Sequence, residues 1–345
     1  MSDEEADIEV RRPRETAVLF GHAEAERALL EAYRSGRIPH AWLVGGEPGI
    51  GKATLAYRLA RFVLAHPDPR LPAVQNAASL AVDPEHPVAR RIAVQAEPGL
   101  RTLERVVNPE TNKLFTVIRV NELREVLEYF GMTGEPGTWR IAIVDTVDDL
   151  NASSANALLK VLEEPPERAL LLLISNAPGR ELPTIRSRCR RLLLRPLEQV
   201  NVIRAVAAAT GRAADEQEVT EAAGAAEGSV ARAISLLDGT ALALRQRVLD
   251  LFAQLPEPDP RALHALGDAL GGTDPQTLAA FMDMVNGWLS MRVGRGAPAQ
   301  TLARTAEAWE KVNRSARDVE TYNLERKPLV FAVFGLLADV ARAGA

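Results

Sequence analysis

Cysteine is almost missing from this sequence: Cys189 stands alone among 345 residues. One thiol excludes an internal disulfide framework and a multi-cysteine zinc module, so no zinc is expected. The five histidines, His22, His40, His66, His86 and His264, show no ligand spacing, and no other metal site is expected. Aromatic residues make up only 5% of the chain while alanine and leucine recur throughout, which favours helix over β-sandwich. No apolar run approaches the roughly 20 residues that span a bilayer, so a membrane is not an expected partner. An excess of basic charge is also lacking. Lys and Arg total 41 against 46 Asp and Glu, a net charge of −5, which excludes a general basic coat for nucleic acid. The charged stretch from Met1 to Arg14 has no apolar segment of a secretory signal. Residues 1–18 are expected to be a disordered, solvated tail, and a cytoplasmic location is the default expectation.

What is present is an alternation of helix and strand over residues 19–196. Helices are expected at Ala23–Tyr33, at Lys52–Val63 with Leu55, Ala56, Leu59 and Phe62 in helical register, and at Asn151–Leu162 ahead of Pro165-Pro166. Another is expected after Asn121, read as its N-cap, with Leu123, Val126, Leu127 and Phe130 on one face. Strands are expected at Ala41–Val44, Phe115–Val120, Arg140–Val144 and Leu170–Ile174, the last apolar enough to be buried on both faces. The prolines between Pro67 and Asn112 suggest an insertion, with a strand near Ile92-Ala93-Val94. Such an alternation predicts a parallel sheet covered on both faces, with its ligand at the carboxyl ends of the strands. Residues 197–238 read as a small helical unit. Residues 239–345 read as a second one, broken by the loop Pro256-Glu257-Pro258-Asp259-Pro260.

The first chemical motif is Gly46-Glu47-Pro48-Gly49-Ile50-Gly51-Lys52, placed between a strand and a helix. This is the Walker A context: Gly46, Gly49 and Gly51 let backbone N–H groups turn towards phosphate oxygens, the helix adds its positive end, and Lys52 neutralises charge. Chance supplies about 0.02 such matches in a chain of this glycine and lysine content. The next position, Ala53, lacks the hydroxyl that holds Mg²⁺. Thr54 lies about 100° further around the helix.

The second motif is the apolar strand Ile141–Val144 ending in Asp145, the form of a Walker B segment. Thr146 follows where an active hydrolase has a glutamate to position the attacking water, and a hydroxyl is no carboxylate base near neutral pH. Asp148 and Asp149 are displaced along the turn and read as helix N-terminal charge. The degenerate site of Gly46, Gly49, Gly51, Lys52, Ala53, Thr54 and Asp145 leaves ATP or ADP as nucleotides it could take, with metal binding weakened. The third motif is Thr184-Ile185-Arg186-Ser187-Arg188-Cys189. Arg188 offers a permanent charge and a planar donor fork suited to a terminal phosphate. Cys189 reads as a small buried residue.

Taken together, His40-Ala41-Trp42-Leu43, Gly46–Lys52, Asn156-Ala157-Leu158-Leu159-Lys160-Val161-Leu162-Glu163-Glu164-Pro165-Pro166 and Ser187-Arg188-Cys189 resemble the clamp-loader subunits of bacterial DNA polymerase III, a branch of the AAA+ proteins. The resemblance is strongest over residues 19–195 and continues to the end, where Asn323-Leu324 and the final helices look like a collar domain. It implies a P-loop AAA+ domain, a helical lid at 197–238 and a helical oligomerisation collar at 239–345. Gamma/tau subunits keep an intact Walker A motif and an Asp-Glu pair. This chain keeps neither, so the resemblance is to the delta-prime branch, whose members contribute an arginine to the adjacent gamma/tau site. On that match Arg188 is a trans-acting arginine finger.

Clamp loading as a five-subunit ring (three gamma/tau, one delta, one delta-prime) acting on the β sliding clamp and primer–template DNA is what the resemblance implies. In Gly228-Ser229-Val230-Ala231-Arg232, Ala231 occupies the place of a sensor arginine, with Arg232 one step on. The zinc module found after the P-loop helix in many relatives has no cysteines here. The competing reading, a self-sufficient AAA+ ATPase of the gamma/tau type, is opposed by Ala53 and Thr146. A sequence-specific DNA binder would need a recognition motif that the sequence lacks.

Overall fold

A computed structural model describes residues 10–105, 118, 120–131, 138–177, 179, 183–237, 239–271, 275–293, 299–322 and 324–343. The chain divides into two compact units, residues 1–235 and 236–345.

The first unit opens with α1 (Ala23–Arg34), β1 (Ala41–Gly45) and α2 (Lys52–Ala65). It continues with α3 (Pro72–Gln75), α4 (Pro87–Ala93), β2 (Leu100–Glu104), α5 (Val120–Gly131) and β3 (Arg140–Asp145). Then come α6 (Ala152–Glu163), β4 (Ala169–Ser175), α7 (Pro183–Arg186) and β5 (Arg190–Leu193). The five strands form one sheet in the order β2-β3-β4-β1-β5, and every pairing is parallel. The strand that feeds the loop of residues 46–51, β1, is flanked by β4 and β5.

Side chains alternate between the faces of the sheet, as strand geometry requires. Trp42, Val44, Ile141, Ile143, Leu170 and Leu172 pack beneath Leu29, Leu55, Leu59 and Phe62 of α1 and α2. Leu43, Ala142, Val144, Leu171 and Leu173 pack on the other face against Leu123, Phe130, Leu158 and Leu162 of α5 and α6. All seven residues of β4 are buried, which explains its unbroken apolar run.

Three helices complete this unit: α8 (Gln199–Thr210), α9 (Gln217–Ala225) and α10 (Val230–Ser235). Among the described residues the second unit is helical, with α11 (Gly239–Ala253), α12 (Pro260–Ala269), α13 (Pro275–Arg292), α14 (Ala299–Tyr322) and α15 (Arg326–Ala343). Its core is built on Val248, Leu266, Phe281, Leu289, Val312, Val330 and Phe334. A reciprocal amide pair, Asn286 with Asn313 at 3.0 and 3.3 Å, joins α13 to α14.

Four expectations need adjustment. The strand expected near Ile92–Val94 is instead the end of α4. Pro87 occupies its first turn and His86 Nδ1 accepts from the Val88 amide at 3.2 Å, so the segment starts as a capped helix and buries Val88 and Ile92 at i and i+4. The strand of this region is Leu100–Glu104.

Most of the strand expected at Phe115–Val120 lies outside the described residues; Ile118 makes a single parallel bridge to Leu150, and Val120 already begins α5. Asn121 therefore lies inside that helix rather than ahead of it. Part of the expected tail is fastened down: from Arg11 to Ala17 the backbone bonds to Ala209, Arg58 and Arg61. Asn323, one of the two residues likened to a collar, lies outside the described residues.

Candidate nucleotide cleft and the arginine on the opposite edge

Gly46, Gly49 and Gly51 have φ of 150°, 76° and 101°, so the loop between β1 and α2 curls in conformations that L side chains rarely adopt. A Cβ on Gly46 would lie 2.7 Å from the Leu194 carbonyl oxygen, and one on Gly49 would lie 2.7 Å from Ala231 Cβ. The loop is tied to the small helical unit as well. Ser229 Oγ donates to the Pro48 carbonyl at 2.9 Å, and the Val230 and Ala231 amides donate to the Gly49 carbonyl at 2.9 and 3.3 Å. The N-terminal amides of α10 therefore close on the loop itself.

Lys52 is 4% exposed and its Nζ donates to the Gly46 carbonyl at 2.8 Å and to the Glu47 carbonyl. Burial pulls its pKa down to about 8, against the pull of Asp145, Asp148 and Glu47. His22, which sequence reasoning did not single out, sets Nε2 2.7 Å from the Ile50 carbonyl. A carbonyl only accepts, so that nitrogen carries the proton, and burial holds the imidazole below its ordinary pKa.

Above the loop lies a cleft of about 330 Å³. Its phosphate end is lined by Gly49, Gly51, Lys52, Ala53, Thr54 and Asp145. Its far wall is apolar, built from Leu19, Phe20, Ile50, Leu197, Val230 and Ile234. Two arginines of α2 bring the irregular segment 11–20 across this wall. Arg58, paired with Glu26 at 2.6 Å, donates to the Ala17 carbonyl, and Arg61 donates to the Arg14 carbonyl at 2.8 Å. No sequence motif marked either arginine, because their partners are backbone oxygens distant in the chain.

Asp145 stands at the end of β3 in register with Glu104. Burial, reinforced by the nearby Glu104 charge, pushes its pKa up to about 6 despite the attraction of Lys52. Thr146 Oγ1 donates to Asp149 at 3.2 Å, and Asp149 also pairs with Arg105 at 3.2 Å. Asp148 accepts from Ser175 Oγ and the Asn176 amide. Both aspartates of the turn are thus engaged in holding it. Ala231 faces the cleft, whereas Arg232 turns to Glu227 at 2.8 Å. Cys189 is half-buried, with a thiol pushed up to about 12 by burial. Among the described residues no cluster of His, Cys, Asp and Glu could hold a metal ion.

The cleft suits a nucleotide in part. The positive-φ glycines, Lys52 and the apolar wall fit phosphates and a base, while the alanine at 53 offers nothing to a magnesium ion. Arg188 is not in the cleft. It precedes β5, whose Arg190 registers with Trp42, while the phosphate loop leaves β1 after Gly45. About 10 Å of strand lies between those levels, so the arginine belongs to the amino ends of the strands, away from the loop at their carboxyl ends. There its Nη2 meets Glu163 at 2.8 Å and its Nη1 donates to the Thr184 carbonyl at 3.0 Å.

Comparison with known proteins places these features in a family. The family model described as DNA polymerase III, delta subunit, matches residues 21–198, just over half of the chain. The DNA polymerase III subunit delta' of Pseudomonas aeruginosa is 35% identical over 150 residues, 44% of this chain and 41% of that protein. Its Escherichia coli counterpart is 31% identical over 168 residues, 49% and 46% of the two chains. The gamma/tau subunit of Mycobacterium tuberculosis is 29% identical over 305 residues, 79% of this chain and 50% of that one. The chain thus spans half or less of the length of these relatives. Among solved structures, a gamma-subunit-related protein of Thermotoga maritima aligns with a TM-score of 0.44 at 15% identity, over 91% of this chain and 100% of that one.

Proposed function

The chain belongs to the DNA polymerase III delta-subunit family, and from that premise we propose that it is the delta-prime-type subunit of a clamp loader. In this reading it sits in a cytoplasmic ring with gamma/tau and delta subunits. The ring uses ATP to place the β sliding clamp on primer–template DNA. This subunit supplies Arg188 to a neighbour's ATP site and does not hydrolyse ATP efficiently itself. Residues 239–345 act as the collar that joins it to the other subunits.

One observation carries the proposal: Arg188 lies at the amino ends of the strands, whereas the loop it would otherwise serve lies at their carboxyl ends. An arginine there is of no use to its own cleft, yet a guanidinium aimed at a second chain's terminal phosphate can raise turnover by about 10³–10⁵. The local chemistry supports the same division of labour. Ala53 has no hydroxyl for a metal, and Thr146 is engaged with Asp149. The gamma/tau relatives align over more of the chain, but these two positions oppose a self-sufficient hydrolase. If a nucleotide binds here, Lys52 and the loop amides hold its phosphates and the apolar wall takes its base. It would supply charge and rigidity to the loop–lid junction.

The test is reconstitution with gamma/tau, delta, β clamp and primed DNA. Arg188→Ala is expected to lower clamp-stimulated ATP turnover without dispersing the assembly. Unchanged turnover would remove Arg188 from the active machinery, and gamma-like hydrolysis by the isolated chain would overturn the reading as a whole.

A further inference from the structure

The arginine that this reading sends to a neighbour is held in place by its own chain. We propose that Glu163 is the positioning residue for Arg188, fixing the guanidinium so that its free donors face the adjoining subunit. The inference rests on the proposed role of Arg188 and adds a residue whose part no motif reveals.

The geometry is a two-point clamp. Glu163 Oε1 accepts from Nη2 at 2.8 Å, and the Thr184 carbonyl accepts from Nη1 at 3.0 Å. Glu163 is the last residue of α6, and Thr184 lies in the short turn α7 just ahead of the arginine. The C-terminal end of α6 carries the negative pole of its dipole beside the carboxylate, so both favour a cation there. Acceptors at both ends of a planar fork, with Ser187 Oγ a third at 3.4 Å from Nη1, favour one plane and position of the guanidinium. The side chain stays 35% exposed and the carboxylate 50% exposed, so donors remain open to another molecule.

The holder is anchored in turn. His40 Nε2 lies 3.1 Å from the Leu162 carbonyl, and His40 immediately precedes β1, whose far end starts the phosphate loop. At the other end of α6, Asn151 Oδ1 accepts from the Ser154 amide at 2.9 Å, directly after the turn that contains Asp148 and Asp149. Helix α6 therefore runs about 18 Å from the cleft edge to the arginine edge. A side chain with the rotameric freedom of arginine would otherwise lose that freedom only on meeting the phosphate. The pair is too exposed to lock the arginine, since exposed ion pairs contribute little. It orients the group and yields easily.

The experiment uses the reconstituted assembly with gamma/tau, delta, β clamp and primed DNA. Glu163→Ala is expected to lower kcat for ATP about two- to fivefold, the range of an exposed pair, with KM unchanged. Glu163→Gln keeps an oxygen acceptor at the same reach and is expected to recover part of that loss. In an Arg188→Ala background, Glu163→Ala is expected to cause no further loss, because the group it orients is gone. An unchanged or raised kcat in Glu163→Ala overturns the positioning role, as does an equal loss in both backgrounds. A harmless Arg188→Ala would instead sink the trans-acting reading. A damaging Arg188→Ala beside a harmless Glu163→Ala leaves that reading standing and removes only Glu163.

Discussion

Asp145 can be converted to asparagine to measure the burden of a half-buried carboxylate in a site poorly equipped for a metal. Its pKa is pushed up to about 6, mainly by burial and then by Glu104, from an ordinary value of 3.8. Folded protein therefore binds the proton more tightly than unfolded chain. Between about pH 4 and 6 the native state holds more protons, so stability falls as pH rises through that window, and the deficit is complete above pH 6. A difference of about two pH units corresponds to roughly 3 kcal/mol, an upper bound because water and neighbouring charges relax around the group. Asparagine keeps the shape and removes the charge. Asp145→Asn is expected to be more stable than wild type by about 1–3 kcal/mol at pH 7.5, with the advantage shrinking towards zero at pH 4. Urea unfolding of both proteins at the two pH values, followed by a probe in the first unit, reads the difference; comparing the pair cancels the slopes of other carboxylates. A variant less stable at pH 7.5, or an equal gain at both pH values, would refute the account of Asp145 as a partly desolvated anion beside Glu104.

Three further outcomes follow from the same geometry. Gly49→Ala places a Cβ against Ser229 and Ala231 at a left-handed position, and is expected to cost about 2–4 kcal/mol by denaturant unfolding of the first unit; a loss under 0.5 kcal/mol would show that loop and lid are not in close contact. Arg58→Ala leaves the half-buried Glu26 with only the Leu80 amide and is expected to cost about 1–3 kcal/mol, with faster amide exchange at residues 11–20; unchanged exchange there would detach the segment from Arg58. Binding of a fluorescent ADP analogue is expected to be the same in EDTA as in magnesium, because Ala53 offers no hydroxyl, and a tenfold weakening in EDTA would restore the metal to the site.

Local chemistry was legible in the residues themselves. The strand-loop-helix around Gly46–Lys52 could be read because glycine spacing and a terminal lysine are meaningful only in that order, and the structure gives all three glycines positive φ. The apolar run Leu170–Ile174 announced a strand buried on both faces, and β4 is buried along its length. The region of Ile92 misled because a short apolar triplet fits strand and helix equally, and the deciding signals were His86 and Pro87 just upstream. Strand β5 escaped notice because its four residues begin with two arginines and its partner, β1, lies far back in the chain.

Residue identity alone established which chemical groups exist: a Gly46–Lys52 loop followed by an alanine, a strand ending in Asp145 followed by a threonine, one cysteine and Arg188 in its own short motif. These are facts of residue identity and close spacing, and no fold can change them. Their distribution in space came from the fold. It set Lys52 against its own loop carbonyls, drew residues 11–20 across the cleft through Arg58 and Arg61, and put Arg188 with Glu163 at the amino ends of the strands. Those relations depend on parallel strands brought together from remote parts of the chain, where hydrogen-bond register rather than sequence separation sets every distance.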